Sequence, residues 1–181
     1  MLTHLRPAEY RRMRWKDGGG WTSEVAVRPG EGDEFAWRIS IAEIETDGDF
    51  SRFPGVDRSI LVLDGPGMIL DVAGAAVDLR ANGPALAFSG EDAVHCRLPA
   101  GPTRDFNVMT RRGQYVHTLA RCALGGSLEL DGEGLVYVHS GAVKVGARTL
   151  AAGDSLRLAA GDGLVTLHGT AALVIARLRA C

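Results

Sequence analysis

Glycine residues divide this chain into short segments, and that division restricts it to a β-rich fold. The 24 glycines lie between apolar runs that carry β-branched or aromatic residues and alternate in polarity, the pattern of half-buried strands joined by turns. No amphipathic pattern is long enough to predict a substantial helix, and residues 7–10 are expected to form at most a short turn. We predict a mainly β protein with candidate strands at residues 22–27, 37–44, 59–63, 68–72, 85–88, 94–98, 105–110, 115–120, 127–130, 135–139, 142–145, 155–158, 164–167 and 172–178.

Two parts of the chain share one rhythm of strands and turns. Residues 60–98 begin with ILVLDG and residues 135–178 with LVYVHSG, and each part continues through a hairpin into a further turn and strand. This rhythm is typical of jelly-roll barrels such as those of cupins, although any glycine-punctuated β chain aligns with itself to some degree. The prediction is a bicupin of two fused, RmlC-like barrels, the first in residues 1–121 and the second in residues 122–181.

The charged residues are balanced and dispersed along the chain. The 20 Lys and Arg against 22 Asp and Glu give a net charge of −2, which argues against a nucleic-acid or membrane-surface partner. Residues 1–10 contain Arg6, Pro7 and Glu9 where a signal peptide would be apolar. The three cysteines match neither a disulfide framework nor a C-x-x-C motif. We expect a cytoplasmic protein with reduced thiols.

The histidines do not form a recognisable metal motif. None of the five belongs to an H-x-H pair, which a metal-binding cupin usually supplies. His139 and His168 lie in neighbouring predicted strands, and they are either strand histidines or two ligands of a metal site. Motifs of nucleophilic or metal-dependent hydrolysis and a P-loop are also absent from the sequence. The sequence therefore predicts no metal and no cofactor.

Two segments have the residue types of an anion site. Residues 15–24 read WKDGGGWTSE, where the glycines allow backbone amides to turn toward an anion, Lys16 supplies charge and Thr22 supplies a hydroxyl; a plain hairpin connector is the alternative. In residues 37–43, period-two alternation places Arg38 and Ser40 on one strand face. That face either lines a barrel mouth and binds a carboxylate or points toward solvent.

Four motifs together resemble the HutD/Ves family. They are WKDGGG at residues 15–20, WRISIA at 37–42, FSRFPGVDR at 50–58, and DFNVM at 105–109 followed by Arg111 and Arg112. Their order and spacing cover about the first two thirds of the chain. The resemblance implies a bicupin without established catalytic activity that limits flux through bacterial histidine utilisation by sensing a metabolite such as N-formylglutamate.

The chain departs from that family at two positions. Asp17 stands where the family usually carries Asn, and Asp49 where it usually carries Pro. A carboxylate at position 17 repels an anionic ligand unless Lys16 or an arginine pairs with it.

The resemblance, transferred residue by residue, implies a ligand site built from the glycine loop and the following strands. Its candidate residues are Lys16, Asp17, Gly18, Gly19, Thr22, Arg38, Ser40, Arg58, Asp105 and Asn107. Asp105 has a structural alternative, an ion pair with Arg58 or Arg104 that closes the barrel. The turn that contains Phe50, Phe53 and Pro54 is expected to be packed rather than to contact a ligand.

The leading hypothesis is a metal-independent binding protein for a small anionic, dicarboxylate-like metabolite. In it, Arg38 or Arg58 holds one carboxylate and the glycine-loop amides bind another polar end. The alternative is a metal-free cupin isomerase or hydrolase that uses Asp105, Glu24 or a histidine as acid or base. A third hypothesis is a structural oligomer that binds no ligand, and a homodimer is compatible with all three.

Overall fold

The computed structural model describes residues 1–32 and 34–181. Its regular structure is β apart from one 3-10 turn at Pro7–Glu9, which confirms the prediction of a mainly β protein. No helix among the described residues is long and apolar enough to cross a membrane. The strands, in chain order, are β1 (Thr3–Leu5), β2 (Arg11–Arg14), β3 (Gly20–Pro29), β4 (Phe35–Ile44), β5 (Gly48–Asp49), β6 (Val56–Asp64), β7 (Met68–Val72), β8 (Ala75–Leu79), β9 (Leu86–Ser89), β10 (Val94–Arg97), β11 (Thr103–Arg111), β12 (Tyr115–Leu130), β13 (Glu133–Val145), β14 (Arg148–Ala151), β15 (Ser155–Leu158) and β16 (Val165–Ala180).

The strands form three sheets. One sheet has the order β2-β3-β4-β11-β6-β9, and a four-stranded sheet has the order β5-β10-β7-β8. The third has the order β1-β15-β13-β16-β12, with β14 paired to β13. Strand β11 is antiparallel to both β4 and β6, and β13 is antiparallel to both β15 and β16, as in jelly-roll barrels.

The chain divides into two compact units. One comprises Arg11–Val116 and the other comprises Met1–Tyr10 together with His117–Cys181. The first ten residues thus belong with the C-terminal strands, because β1 pairs with β15. The sequence-based division at residue 121 stays a prediction about domains.

Each unit has its own apolar core. In the unit Arg11–Val116, apolar side chains from β4, β6, β7 and β10 pack together, among them Ile44, Ile60, Met68 and Leu70. In the other unit, β13, β15 and β16 contribute residues such as Val138, Leu156 and Leu173. The alternating strands predicted from the sequence therefore bury their apolar faces as expected.

Three long strands replace six of the short strands expected from the sequence. Residues 115–120 and 127–130 both lie in β12, residues 135–139 and 142–145 lie in β13, and the strands predicted at 164–167 and 172–178 both fall in β16, which begins at Val165. The prediction of a turn at each intervening glycine was wrong here. At Gly141 and Gly169 the backbones of β13 and β16 approach closely, whereas a Cβ at Gly125 or Gly126 in β12 would meet nothing within 4 Å. Short strands β1, β2, β5, β8 and β14 were not predicted.

Candidate functional site

A cavity of about 430 Å³ opens in the unit Arg11–Val116. Eight of the ten residues expected in the site line it: Lys16, Asp17, Thr22, Arg38, Ser40, Arg58, Asp105 and Asn107. Gly18 and Gly19 are not among the lining residues. The lining also includes residues not predicted for the site, namely Met13, Arg14, Trp15, Ala42, Asp49, Phe50, Ser51, Phe53 and Met109.

Strand register explains why residues distant in sequence meet in this cavity. Ser40 on β4 lies opposite Glu24 on β3 and Asn107 on β11. Two residues further along β4, Ala42 lies opposite Thr22 on β3 and Asp105 on β11. Because side chains with even spacing share one strand face, these residues point to the same side of the sheet. Arg38 and Ser40 therefore belong to the cavity face, which decides between the two orientations left open by the sequence.

Arg58 is a buried cation in the cavity wall. It lies on β6 with its side chain 5% exposed, and its Nη1 donates to the Ser51 carbonyl oxygen at 3.2 Å. The guanidinium also lies over the rings of Phe50, Phe53 and Phe88, at 4.9 to 5.7 Å from their centroids, a distance at which cation–π attraction operates. Burial lowers the pKa of Arg58 to about 10, which still leaves the guanidinium charged at neutral pH.

The Arg58 Nε group has no acceptor among the described protein atoms. Buried polar groups are nearly always hydrogen-bonded, and an arginine fork binds a carboxylate through such N–H groups. Arg58 is therefore chemically suited to hold an anion in the cavity.

Asp105 is a buried carboxyl group in the same cavity. Its side chain is 1% exposed, and neither carboxyl oxygen has a hydrogen-bond partner among the described protein atoms. Burial raises the pKa of Asp105 to about 7, while the positive charge of Arg58 opposes the rise. Arg104, the other arginine considered as its partner, donates instead to Asp64 at 2.8 Å.

Asn107 follows Asp105 on the cavity face of β11. Its side chain is buried and its Oδ1 atom has no donor among the described residues. The cavity wall thus holds two neighbouring side chains that can accept hydrogen bonds.

Arg38 forms an ion pair with Glu24. Its Nε donates to Glu24 Oε2 at 2.7 Å, and both side chains are largely buried. The pair spans neighbouring strands β3 and β4. Arg58 is therefore the better carboxylate ligand of the two, because its Nε group is not already engaged by an acid among the described residues.

In the glycine loop between β2 and β3, two backbone amides donate hydrogen bonds within the loop. Gly18 N–H donates to the Trp15 carbonyl oxygen at 3.0 Å, and Gly19 N–H donates to Asp17 Oδ1 at 2.9 Å. These two amides are thus engaged inside the loop. The loop still contributes Lys16 and Asp17 to the lining.

Aromatic side chains form part of the cavity wall, a role that sequence reasoning missed. Trp15 Nε1 donates to Thr22 Oγ1 at 2.8 Å, and the Trp15 ring meets Phe50 edge to face at 6.4 Å. Phe50 and Phe53 were expected to serve packing alone, yet both line the cavity. Met109 could have been found from period-two alternation, since it shares a strand face with Asp105 and Asn107.

Asp49 lies at an exposed part of the cavity. Its Oδ1 lies 2.7 Å from His95 Nδ1 on β10, and the Asp49 side chain is 85% exposed. Position 49, where the family usually has Pro, therefore supplies a second exposed carboxylate to the cavity lining, in addition to that of Asp17.

His139 and His168 are not brought together. His139 lies at a bulge in β13, between residues paired with Leu173 and Ala172 of β16, whereas His168 pairs with Lys144. Four to five residues separate these positions along the strands, which is about 13 to 17 Å at the usual rise per residue. Within residues 1–32 and 34–181, no group of three or more His, Cys, Asp or Glu side chains is placed to hold a metal ion.

Comparison with solved structures shows the fold. HutD from Pseudomonas fluorescens SBW25 is similar over 100% of both chains, with a TM-score of 0.89 and 34% identity. A cupin 2 conserved barrel domain protein from Leptotrichia buccalis is similar over 92% of both chains, with a TM-score of 0.63 and 12% identity. These similarities confirm the predicted bicupin, a cupin-type jelly-roll fold.

Comparison with known sequences shows the family. An uncharacterized 21.2 kDa protein from the hutC 3′ region of Pseudomonas putida is 48% identical over 115 residues, which is 63% of this chain and 60% of that protein. The match with this relative thus spans less than two thirds of its length. The HutD family model matches residues 7–176. Because that match covers nearly all of the sequence and includes the four motifs at residues 15–20, 37–42, 50–58 and 105–109, the chain belongs to the HutD family.

Proposed function

We propose that this protein binds a small anionic metabolite in the cavity of the unit Arg11–Val116. The observation that carries the proposal is Arg58, a charged guanidinium that is 5% exposed and has an N–H group without an acceptor among the described protein atoms. Cavities that bind small molecules combine apolar walls with a few converging polar groups. Here the apolar wall includes Trp15, Phe50 and Phe53.

The metabolite belongs to histidine utilisation in this proposal. The family name HutD and the hutC-region name of the P. putida relative support that assignment. N-formylglutamate fits the chemistry of the cavity, since it carries two carboxylates and an amide. Binding requires no metal ion in this proposal, and the protein acts as a sensor that limits flux through the pathway.

A thermal-shift titration of metal-stripped protein tests the proposal. The ligands are histidine, urocanate, formiminoglutamate, N-formylglutamate and glutamate. A ligand at 100 times its Kd stabilises the fold by about 2.7 kcal/mol, so a selective rise in Tm with a late intermediate is expected.

Two arginine variants test whether the ligand binds in the cavity. Arg58→Gln should abolish the ligand-induced shift. Arg104→Gln should retain it, because Arg104 pairs with Asp64 outside the lining residues. No shift with any of the five compounds would refute the histidine-pathway ligand.

The second candidate function is a metal-free isomerase or hydrolase that acts on an intermediate of the same pathway. Asp105 favours it, because a carboxyl group with a pKa of about 7 in a cavity is suited to general acid–base catalysis. Turnover of a pathway intermediate by the purified protein, lost in Asp105→Asn, would support it. Saturable binding without product over many hours would exclude it for the compounds tested.

A further inference from the structure

Four buried side-chain atoms of the cavity lining have no hydrogen-bond partner among the described protein atoms. Asp105 Oδ1, Asp105 Oδ2 and Asn107 Oδ1 lack a donor among the described protein atoms, and Arg58 Nε lacks an acceptor. All four atoms belong to buried side chains that line the cavity. A ligand that satisfies this set needs both a hydrogen-bond acceptor and a hydrogen-bond donor.

The strands beside Asp105 cannot supply that donor through their side chains. Asp105 on β11 lies opposite Ala42 on β4 and Val62 on β6. Both neighbours are apolar. A ligand in the cavity can supply the donor that the described protein atoms do not provide.

We propose that the cavity selects ligands that combine a carboxylate, held by Arg58, with an N–H group that donates to Asp105. This inference rests on the proposed function and narrows its ligand class to amino acids and N-acyl amino acids rather than plain dicarboxylates. Asn107 Oδ1 offers a second acceptor next to Asp105 on the same strand face. The specificity comes from Asp105, because a ligand without N–H leaves a buried carboxylate without a partner.

The protonation state of Asp105 predicts the direction in which ligand affinity changes with pH. An N–H group binds the ionised carboxylate, whereas a ligand carboxylate next to Asp105 requires the protonated acid. Since the pKa of Asp105 lies near 7, affinity for an N–H ligand rises between pH 6 and pH 8. Affinity for a ligand that places an acceptor against Asp105 falls over the same range.

Other titratable and charged groups lie in or near the same cavity on several elements. Arg58 on β6 attracts the ionised form, and Cys96 on β10 is kept as a thiol because burial raises its pKa to about 12. The remaining ones are Arg38 on β4 with its partner Glu24 on β3, the loop residues Arg14, Lys16 and Asp17, and Asp47 and Asp49 near β5. His95 on β10 pairs with Asp49.

Isothermal titration calorimetry with a matched pair of probes tests the proposal. The probes are N-formyl-L-glutamate and its ester isostere 2-formyloxyglutarate, in which oxygen replaces the amide N–H. At pH 8 the amide probe should bind at least about tenfold more tightly than the ester. Its affinity should rise about tenfold from pH 6 to pH 8, in proportion to the ionised fraction of Asp105.

Two variants assign the effect. Asp105→Asn should remove the pH dependence of the affinity for the amide probe. It should also reduce the difference in affinity between the two probes. His95→Gln should keep both, because the His95 side chain pairs with the exposed Asp49 and not with Asp105. The wild-type pH profile stands as a test even if Asp105→Asn does not fold.

The outcomes separate the inference from the proposed function. Equal affinity for the two probes, or an amide affinity that is flat or falls with pH, would overturn the selection by Asp105 while leaving anion binding in place. Failure of both probes to bind would overturn this inference together with N-formylglutamate as the proposed ligand.

Discussion

At the scale of single residues, burial sets the chemistry of Asp105. The side chain is 1% exposed, and its pKa rises to about 7 from an ordinary value of 3.8. Between those two pH values the folded protein holds a proton that the unfolded chain has released. Folding stability therefore decreases as pH rises through this window, and the loss is complete above pH 7.

Asp105→Asn should remove this pH-dependent loss of folding stability. Relative to wild type, the variant should gain on the order of 3 kcal/mol in free energy of unfolding between pH 5 and pH 8. Urea unfolding at both pH values measures it. Asp78→Asn, at an exposed residue paired with Arg80, is the control and should show no such gain. A pH-independent difference between Asp105→Asn and wild type would contradict the raised pKa.

At the scale of elements, the β2–β3 loop shows two different uses of glycine. Gly18 adopts a φ of +76°, and a Cβ there would meet nothing within 4 Å. At Gly20, by contrast, a Cβ would lie 2.4 Å from the Glu43 carbonyl oxygen and 3.2 Å from the Trp15 ring. Gly18 is thus needed for its backbone conformation, and Gly20 for the close approach of β3 to β4.

Alanine substitutions should separate these two uses. Gly18→Ala should destabilise the fold by about 1 kcal/mol through the left-handed conformation. Gly20→Ala should cost about 3 kcal/mol, because strand backbone has to move. Thermal and urea unfolding of both variants measure the difference, and equal losses would contradict the steric argument.

The same loop predicts an effect of Asp17 on ligand affinity. Asp17 Oδ1 accepts the Gly19 N–H, and an asparagine Oδ1 can accept the same bond. Asp17→Asn should therefore keep the loop, remove a negative charge from the cavity lining and raise affinity for an anionic ligand about two- to threefold. Calorimetry with N-formylglutamate measures the change. The control is Asp131→Asn, whose carboxylate pairs with Arg177 in the other unit; an unchanged affinity in Asp17→Asn would contradict the repulsion.

Strand length is the element-scale property that the sequence predicted least well. Gly141 and Gly169 were interpreted as turns, yet they lie within β13 and β16. A Cβ at Gly141 would lie 2.3 Å from the Thr170 carbonyl oxygen, and one at Gly169 would lie 2.4 Å from that of Ala142. These glycines allow close contact between two paired strands, near a bulge, so a glycine in a β chain marks either a turn or a tight pairing.

At the scale of the whole molecule, the distribution of metal-ligating side chains predicts insensitivity to chelators. The histidines at 139 and 168 lie apart in the register of β13 and β16, and the described residues hold no cluster of three ligands. Dialysis against EDTA should therefore leave Tm within about 1 °C and ligand affinity unchanged, whereas loss of a bound structural metal would lower Tm markedly. Differential scanning fluorimetry before and after dialysis decides between these results.

The amino-acid sequence by itself determined the β class, the buried strand faces and eight of the seventeen residues that line the cavity. Alternation in residues 37–43 and 105–109 separates polar from apolar faces whatever the surroundings, and four motifs in order identify the family. Tertiary structure decided which face encloses the cavity, which amides of the glycine loop are already engaged, and which of two arginines is paired with an acid. Those properties depend on strand register and on long-range partners such as Glu24 with Arg38, and local sequence pattern carries no information about such pairings.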